Sequence, residues 1–133
     1  MMTFEYSVKQ SNYVDYLTRR NNFISTQSED LKNGKSIYYL IFKGTEYVTD
    51  FVVYKEDNWM SIADEDLKNE RMVKEVLTIL SQVYDHIVLI VGSGEINVID
   101  FLMKNFSTTN EQIQAEDNDD IENVFNKLTI RLK

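Results

Sequence analysis

Residues 3–9 alternate Phe4, Tyr6 and Val8 with Glu5, Ser7 and Lys9, the period-two pattern of a half-buried strand. Ser11 or Asn12 then caps a short helix in which Tyr13, Tyr16, Leu17 and Arg20 share one stripe. Residues 21–35 are polar, with Gly34 near the end, and are predicted to form a loop carrying Phe23 and Ile24. The clearest local signal follows. Residues 36–42 and 47–54 are β-branched and aromatic runs separated by Lys43, Gly44, Thr45 and Glu46, which predicts a hairpin. Its first strand is apolar on both faces, with Ile37, Tyr39 and Ile41 on one and Tyr38, Leu40 and Phe42 on the other. It is therefore expected to be central, or to use one face as a contact surface.

From Ser61 the pattern predicts a long helix whose first turns hold Asp64, Glu65 and Asp66, acids that suit the positive end of a helix dipole. Its stripe is Val73, Val76, Leu77, Leu80, Val83 and Tyr84, ending near Asp85. Residues 87–91 are an unbroken apolar run stopped by Gly92, a strand buried on both faces. Residues 95–106 read as a helix with Ile96, Ile99, Leu102, Met103 and Phe106 inward. Residues 107–120 lack periodicity and are acidic. Ile121, Val124 and Phe125 suggest one or two helical turns, and Leu128, Ile130 and Leu132 alternate with Thr129, Arg131 and Lys133 as a closing strand. The expected fold is α+β: a single domain over residues 1–133, with a mixed or antiparallel sheet, element order β-α-β-β-α-β-α-β, and helices packed on one face. The first six elements follow the order of a split β-α-β sandwich.

Composition narrows the function. The chain has 133 residues, no Pro, no Cys and 4 Gly, with no repeat or linker, which suits one domain that builds its core without disulfides. A net charge of −8 gives no electrostatic footprint for DNA or RNA. No run of about 20 apolar residues exists, so a soluble, cytoplasmic protein is expected. The absence of Cys and the single His86 leave little for thiol catalysis, thiolate metal sites or histidine clusters. His86, beside Asp85 at a helix end, reads as structural or exposed. No cofactor is expected. Gly92-Ser93-Gly94 sits where a phosphate-binding turn would, but Asn97 replaces a third Gly and Glu95 puts a negative charge where phosphate must lie. A plain turn, with Ser93 capping the next helix, is expected.

What stands out is where the charge lies. Residues 44–70 carry a balance of −6 and residues 95–126 a balance of −7, and both stretches hold amides or aromatics suited to interfaces. The expectation is a small acidic binding protein without catalytic activity, which docks on a basic protein such as a nuclease and blocks its phosphate-binding cleft. Immunity proteins and DNA mimics offer an analogy of charge and size, with no shared motif. The expected contacts are Glu46, Asp50, Asp57, Trp59, Asp64, Glu65 and Asp66, with Glu116, Asp117, Asp119 and Asp120 from the second stretch. Two alternatives stand beside it. One is a metal-assisted hydrolase built from the carboxylates of residues 44–70. The other is a self-assembling protein, or a homodimer, that uses strand 37–42 as an edge or seam.

Overall fold

A computed structural model describes residues 3–19, 25–114 and 124–133. Along the chain it forms β1 (Tyr6–Gln10), α1 (Tyr13–Arg19), α2 (Ser25–Lys32), β2 (Ser36–Lys43), β3 (Glu46–Tyr54) and β4 (Trp59–Ser61). A 3₁₀ turn, Asp66–Lys68, leads into α3 (Glu70–Leu80), β5 (His86–Gly92), α4 (Ile96–Asn105), β6 (Ser107–Gln114) and β7 (Val124–Arg131). The strands make one seven-stranded sheet in the order β1-β2-β3-β4-β5-β7-β6. It is mixed, because β4 and β5 run parallel while every other neighbouring pair is antiparallel.

The predicted hairpin is present, with Gly44 at φ +62° in its turn, a backbone conformation that costs glycine nothing. The double-sided apolar strand is central: β2 pairs with β1 on one edge and β3 on the other. Its backbone is used up on both sides, which removes it as a sheet edge or dimer seam. Its two faces serve two cores. Tyr39 and Ile41, with Phe51 and Val53 of β3 and Leu89 of β5, pack with Val73, Val76 and Leu77 of α3 and Leu102 of α4. Tyr38, Leu40 and Val52 pack on the opposite face with Tyr16 and Leu17 of α1 and Leu31 of α2. Helices thus cover both faces rather than one, and the element order is not the one the periodicity suggested.

Each departure has a local cause. The polar stretch before Gly34 contains α2, whose inward residues include Gln27 and Ser28. Its burial is made by hydrogen bonds rather than by an apolar stripe. The long helix expected from Ser61 begins only at Glu70, where the Asn69 side chain accepts from the Met72 amide at 3.2 Å and caps it. Residues before it form β4 and the 3₁₀ turn. Val83 is exposed, because the helix stops at Leu80. Ile96 and Met103 of α4 also face outward. Ser107–Gln114 is a strand with one neighbour and little burial, so no alternation is required of it. Val124 and Phe125 extend β7 instead of forming helical turns, and Ile121 lies outside the described residues. Among the described residues no helix is long and apolar enough to cross a membrane.

Candidate functional site

The parallel pair is the break in the sheet. β4 is three residues long and pairs with β5 at a single position, Trp59 opposite Val88. The join is reinforced at its amino end, where the Val88 amide donates to the Asn58 carbonyl at 3.0 Å and Asn58 Nδ2 donates to the His86 carbonyl at 3.0 Å. Past Trp59, Met60 and Ser61 have no partner on β5. In open α/β sheets ligands bind where adjacent parallel strands part, so this split is the place to look for a site.

On the α1/α2 face a groove of about 540 Å³ lies against the joined part of this pair, at Trp59 and Val88. Its floor is Trp59, Val88 and Ile90, with Ile113 of β6. Tyr54 stacks on Trp59 with ring centroids 4.8 Å apart. The rim carries the carboxylates Asp30, Glu56 and Asp57 and one cation, Lys127. Asp57 and Asn58 lie in the four-residue β3–β4 turn, residues 55–58, with φ of +59° and +56°, a left-handed backbone that Asp and Asn tolerate. The floor exists because α1 and α2 cover only the β2 and β3 half of this face. A polar chain ties α1 and α2 to the carboxyl end of β4. Tyr16 Oη donates to Gln27 Oε1 at 2.5 Å, and Gln27 Nε2 donates to Ser61 Oγ at 3.2 Å.

On the opposite face, the amino ends of α3 and α4 meet across a cleft of about 270 Å³ lined by Leu67, Lys68, Glu70, Glu95, Asn97 and Val98. Glu95 stands at the cap of α4 and makes no side-chain cap bond. Ser93 does not cap this helix: its hydroxyl donates to Asn126 Oδ1 at 2.6 Å, and Asn126 Nδ2 donates to Asn110. His86 accepts its backbone bond from Asn58 and keeps its ring against Asp85, with Nδ1 2.7 Å from Oδ1.

Among the described residues, the structure brings only Asp57 and Trp59 of the expected contacts together in a concave site. Glu46 opens β3 beside the Gly44 turn, Asp50 accepts from Tyr38 Oη, and Asp66 accepts from Thr49 Oγ1 at 2.7 Å. Asp64 and Glu65 lie with Asp66 beyond the far end of β4 from Asp57. Glu116, Asp117, Asp119 and Asp120 lie outside the described residues. Among the described residues no three carboxylates or histidines are grouped to hold a metal ion, so the hydrolase alternative finds no centre. Asp30, Tyr54, Glu56, Val88, Ile90, Ile113 and Lys127 were missed as site residues. The one signal available was Ile90, an apolar residue in a strand read as buried on both faces that is in fact exposed.

No family model matches the chain, and neither does any curated protein. Solved structures do. A variant of spermidine N-acetyltransferase SpeG from Vibrio cholerae superposes with a TM-score of 0.62 at 8% identity, covering 96% of this chain and 94% of that one. An aminoglycoside N(6')acetyltransferase from Legionella pneumophila gives 0.62 at 12% identity, over 99% and 95% of the two chains. A Bacillus subtilis acetyltransferase in complex with CoA gives 0.60 at 14% identity, over 96% and 99%. The chain shares its fold with these acetyltransferases, and this overturns the expectation of a noncatalytic, immunity-like inhibitor with a basic nuclease as its partner.

Proposed function

We propose that this chain is an N-acyltransferase of the fold it shares with those enzymes, and that the groove against Trp59 holds its acceptor, a small cationic amine. The observation that carries the reading is the groove itself. Three carboxylates, Asp30, Glu56 and Asp57, border an aromatic and aliphatic floor beside the position where Trp59 of β4 pairs with Val88 of β5. Carboxylates attract an ammonium group and aromatic faces favour it, while the apolar floor accepts the carbon skeleton between charges. Spermidine and aminoglycosides, the substrates in the names of two similar structures, are amines of that class. CoA, held by a third, carries a diphosphate. The groups at the carboxyl ends of β4 and β5 in this chain do not fit a diphosphate, and the amine site stands without it.

The chain's single tryptophan lies in the groove and reports binding directly. Trp59 emission is expected to change saturably on titration with spermidine or an aminoglycoside. A carboxylate–ammonium contact on a partly exposed surface contributes ~0.5–1 kcal/mol. The triple variant Asp30→Asn, Glu56→Gln, Asp57→Asn is therefore expected to bind roughly ten- to a hundredfold more weakly. No saturable change with millimolar amine, or equal affinity in the triple variant, would reject the reading.

A further inference from the structure

We infer that this chain does not hold the nucleotide part of CoA, so that an acyl thioester is recognised by its acyl and pantetheine end alone; the second half of this statement rests on the acyl-transfer reading above. A diphosphate needs unspent N–H donors or unspent cations, and helix amino ends are where a chain usually offers them. Before α3 the donors of the turn are spent, which leaves the Glu70 and Arg71 amides in a first turn that itself carries the Glu70 carboxylate. The amides of Asp66, Leu67, Lys68 and Asn69 donate in succession to the carbonyls of Ala63, Asp64, Glu65 and Asp66, at 3.0–3.3 Å. The Met72 amide is taken by the Asn69 side chain and the Val73 amide by the Asn69 carbonyl. None of the four glycines lies between β4 and α3, so no residue there opens the backbone toward a ligand without a side chain in the way.

The two cations here, Lys68 and Arg71, each face carboxylates already. Lys68 Nζ sits 3.3 Å from Glu65, and Arg71 bridges Glu75 at 3.1 Å and Glu5 at 3.3 Å. Against them stand Asp64 and Glu65 before the helix, Glu70 in its first turn and Glu95 across the cleft. A phosphate brought here would meet carboxylates first. At α4 the preceding turn is partly tied down, and the Ile96, Asn97 and Val98 amides left in its first turn follow the Glu95 carboxylate at the cap. The Ser93 amide donates to the Val124 carbonyl and the Glu95 amide to Gly92.

Calorimetric titration of the whole chain with CoA, adenosine 3′,5′-bisphosphate and pantetheine, at low ionic strength where charge is screened least, tests this. The expected result is that CoA binds no more tightly than pantetheine and that the bisphosphate gives no heat of binding. CoA binding tenfold or more tightly than pantetheine would overturn the inference, whichever side chain carried the difference. The amine titration read by Trp59 is independent of any donor. A failure there removes the acyl-transfer reading and leaves the statement about the nucleotide standing, and the reverse holds equally.

Discussion

Replacing Glu75 by Ala removes the carboxylate that ties the start of β1 to α3. Oε1 accepts the Tyr6 amide at 3.0 Å and the Glu5 amide at 2.6 Å, and Oε2 accepts Arg71 Nε at 3.1 Å. The Tyr6 bond is buried, the Glu5 bond partly so, and the Arg71 side chain is well exposed. Water can replace the acceptor for Arg71 and in part for Glu5, but not for Tyr6. A hydrogen bond to a charged group contributes about 1.5–3 kcal/mol, and an orphaned buried donor costs a similar amount. The expected loss is thus ~2–4 kcal/mol at pH 7, dominated by the Tyr6 amide.

The pH dependence gives the sharper test. Burial pushes the Glu75 carboxyl up, but the Tyr6 and Glu5 amides and the Arg71 guanidinium together hold it below its ordinary value. A carboxyl depressed by folding stabilises the folded state fully above its unfolded value, about 4.3, and that stabilisation is lost as pH falls through the folded value. Urea unfolding of the wild type and Glu75→Ala, followed by circular dichroism, is expected to show the full gap at pH 7 and a narrower gap at pH 3. Glu75→Gln keeps an acceptor oxygen and is expected to fall between the two. A gap under ~0.5 kcal/mol at pH 7, or one of equal size at both pH values, would refute the reasoning.

Two further outcomes are expected. Asn58 combines a left-handed backbone with a bond to the His86 carbonyl, so Asn58→Ala should cost ~1–2 kcal/mol in chemical denaturation while Asn58→Gly, which keeps the backbone freedom, costs less; equal losses would show that the turn geometry is not under strain. Burial first, and then the hydroxyl contact with Tyr39 at 2.7 Å, push the Tyr84 phenol above the ordinary tyrosine range, so its stabilisation is present below about pH 10 and lost as pH rises further. In an absorbance titration Tyr84→Phe should lower the amplitude of the late-ionising phase; an unchanged late phase would contradict it.

The hairpin of β2 and β3, the central position of β2, the strand β5 and the stripe of α3 were legible because burial against an apolar neighbour leaves a period in the sequence. The elements that were not legible are those held otherwise. α2 buries Gln27 through Tyr16 and Ser61, β4 is too short to show a period, and β6 is paired along one side only. The site suffered for the same reason. Asp30 reaches the groove from α2, and Ile113 and Lys127 reach it from β6 and β7, so its lining depends on α2 and β6, which no local pattern announced, and on the part of β7 before its alternating residues.

The acids of residues 44–70 look alike in the sequence, yet the fold gives them different work. Asp50 and Asp66 accept hydroxyl bonds from Tyr38 and Thr49, Glu65 pairs with Lys68, and Glu56 and Asp57 meet Asp30 over an aromatic floor. A negative field attracts any cation, so its sign does not choose between a basic protein and a small amine. Shape does. A protein partner of ordinary affinity covers on the order of 800 Å² of surface on each side, whereas a small ligand takes a recess of roughly 300–1,000 Å³. The expected contacts are split between the two ends of β4, which argues against one continuous docking face. The groove of about 540 Å³ beside Trp59 falls within the range of small-ligand sites, and carboxylates border it.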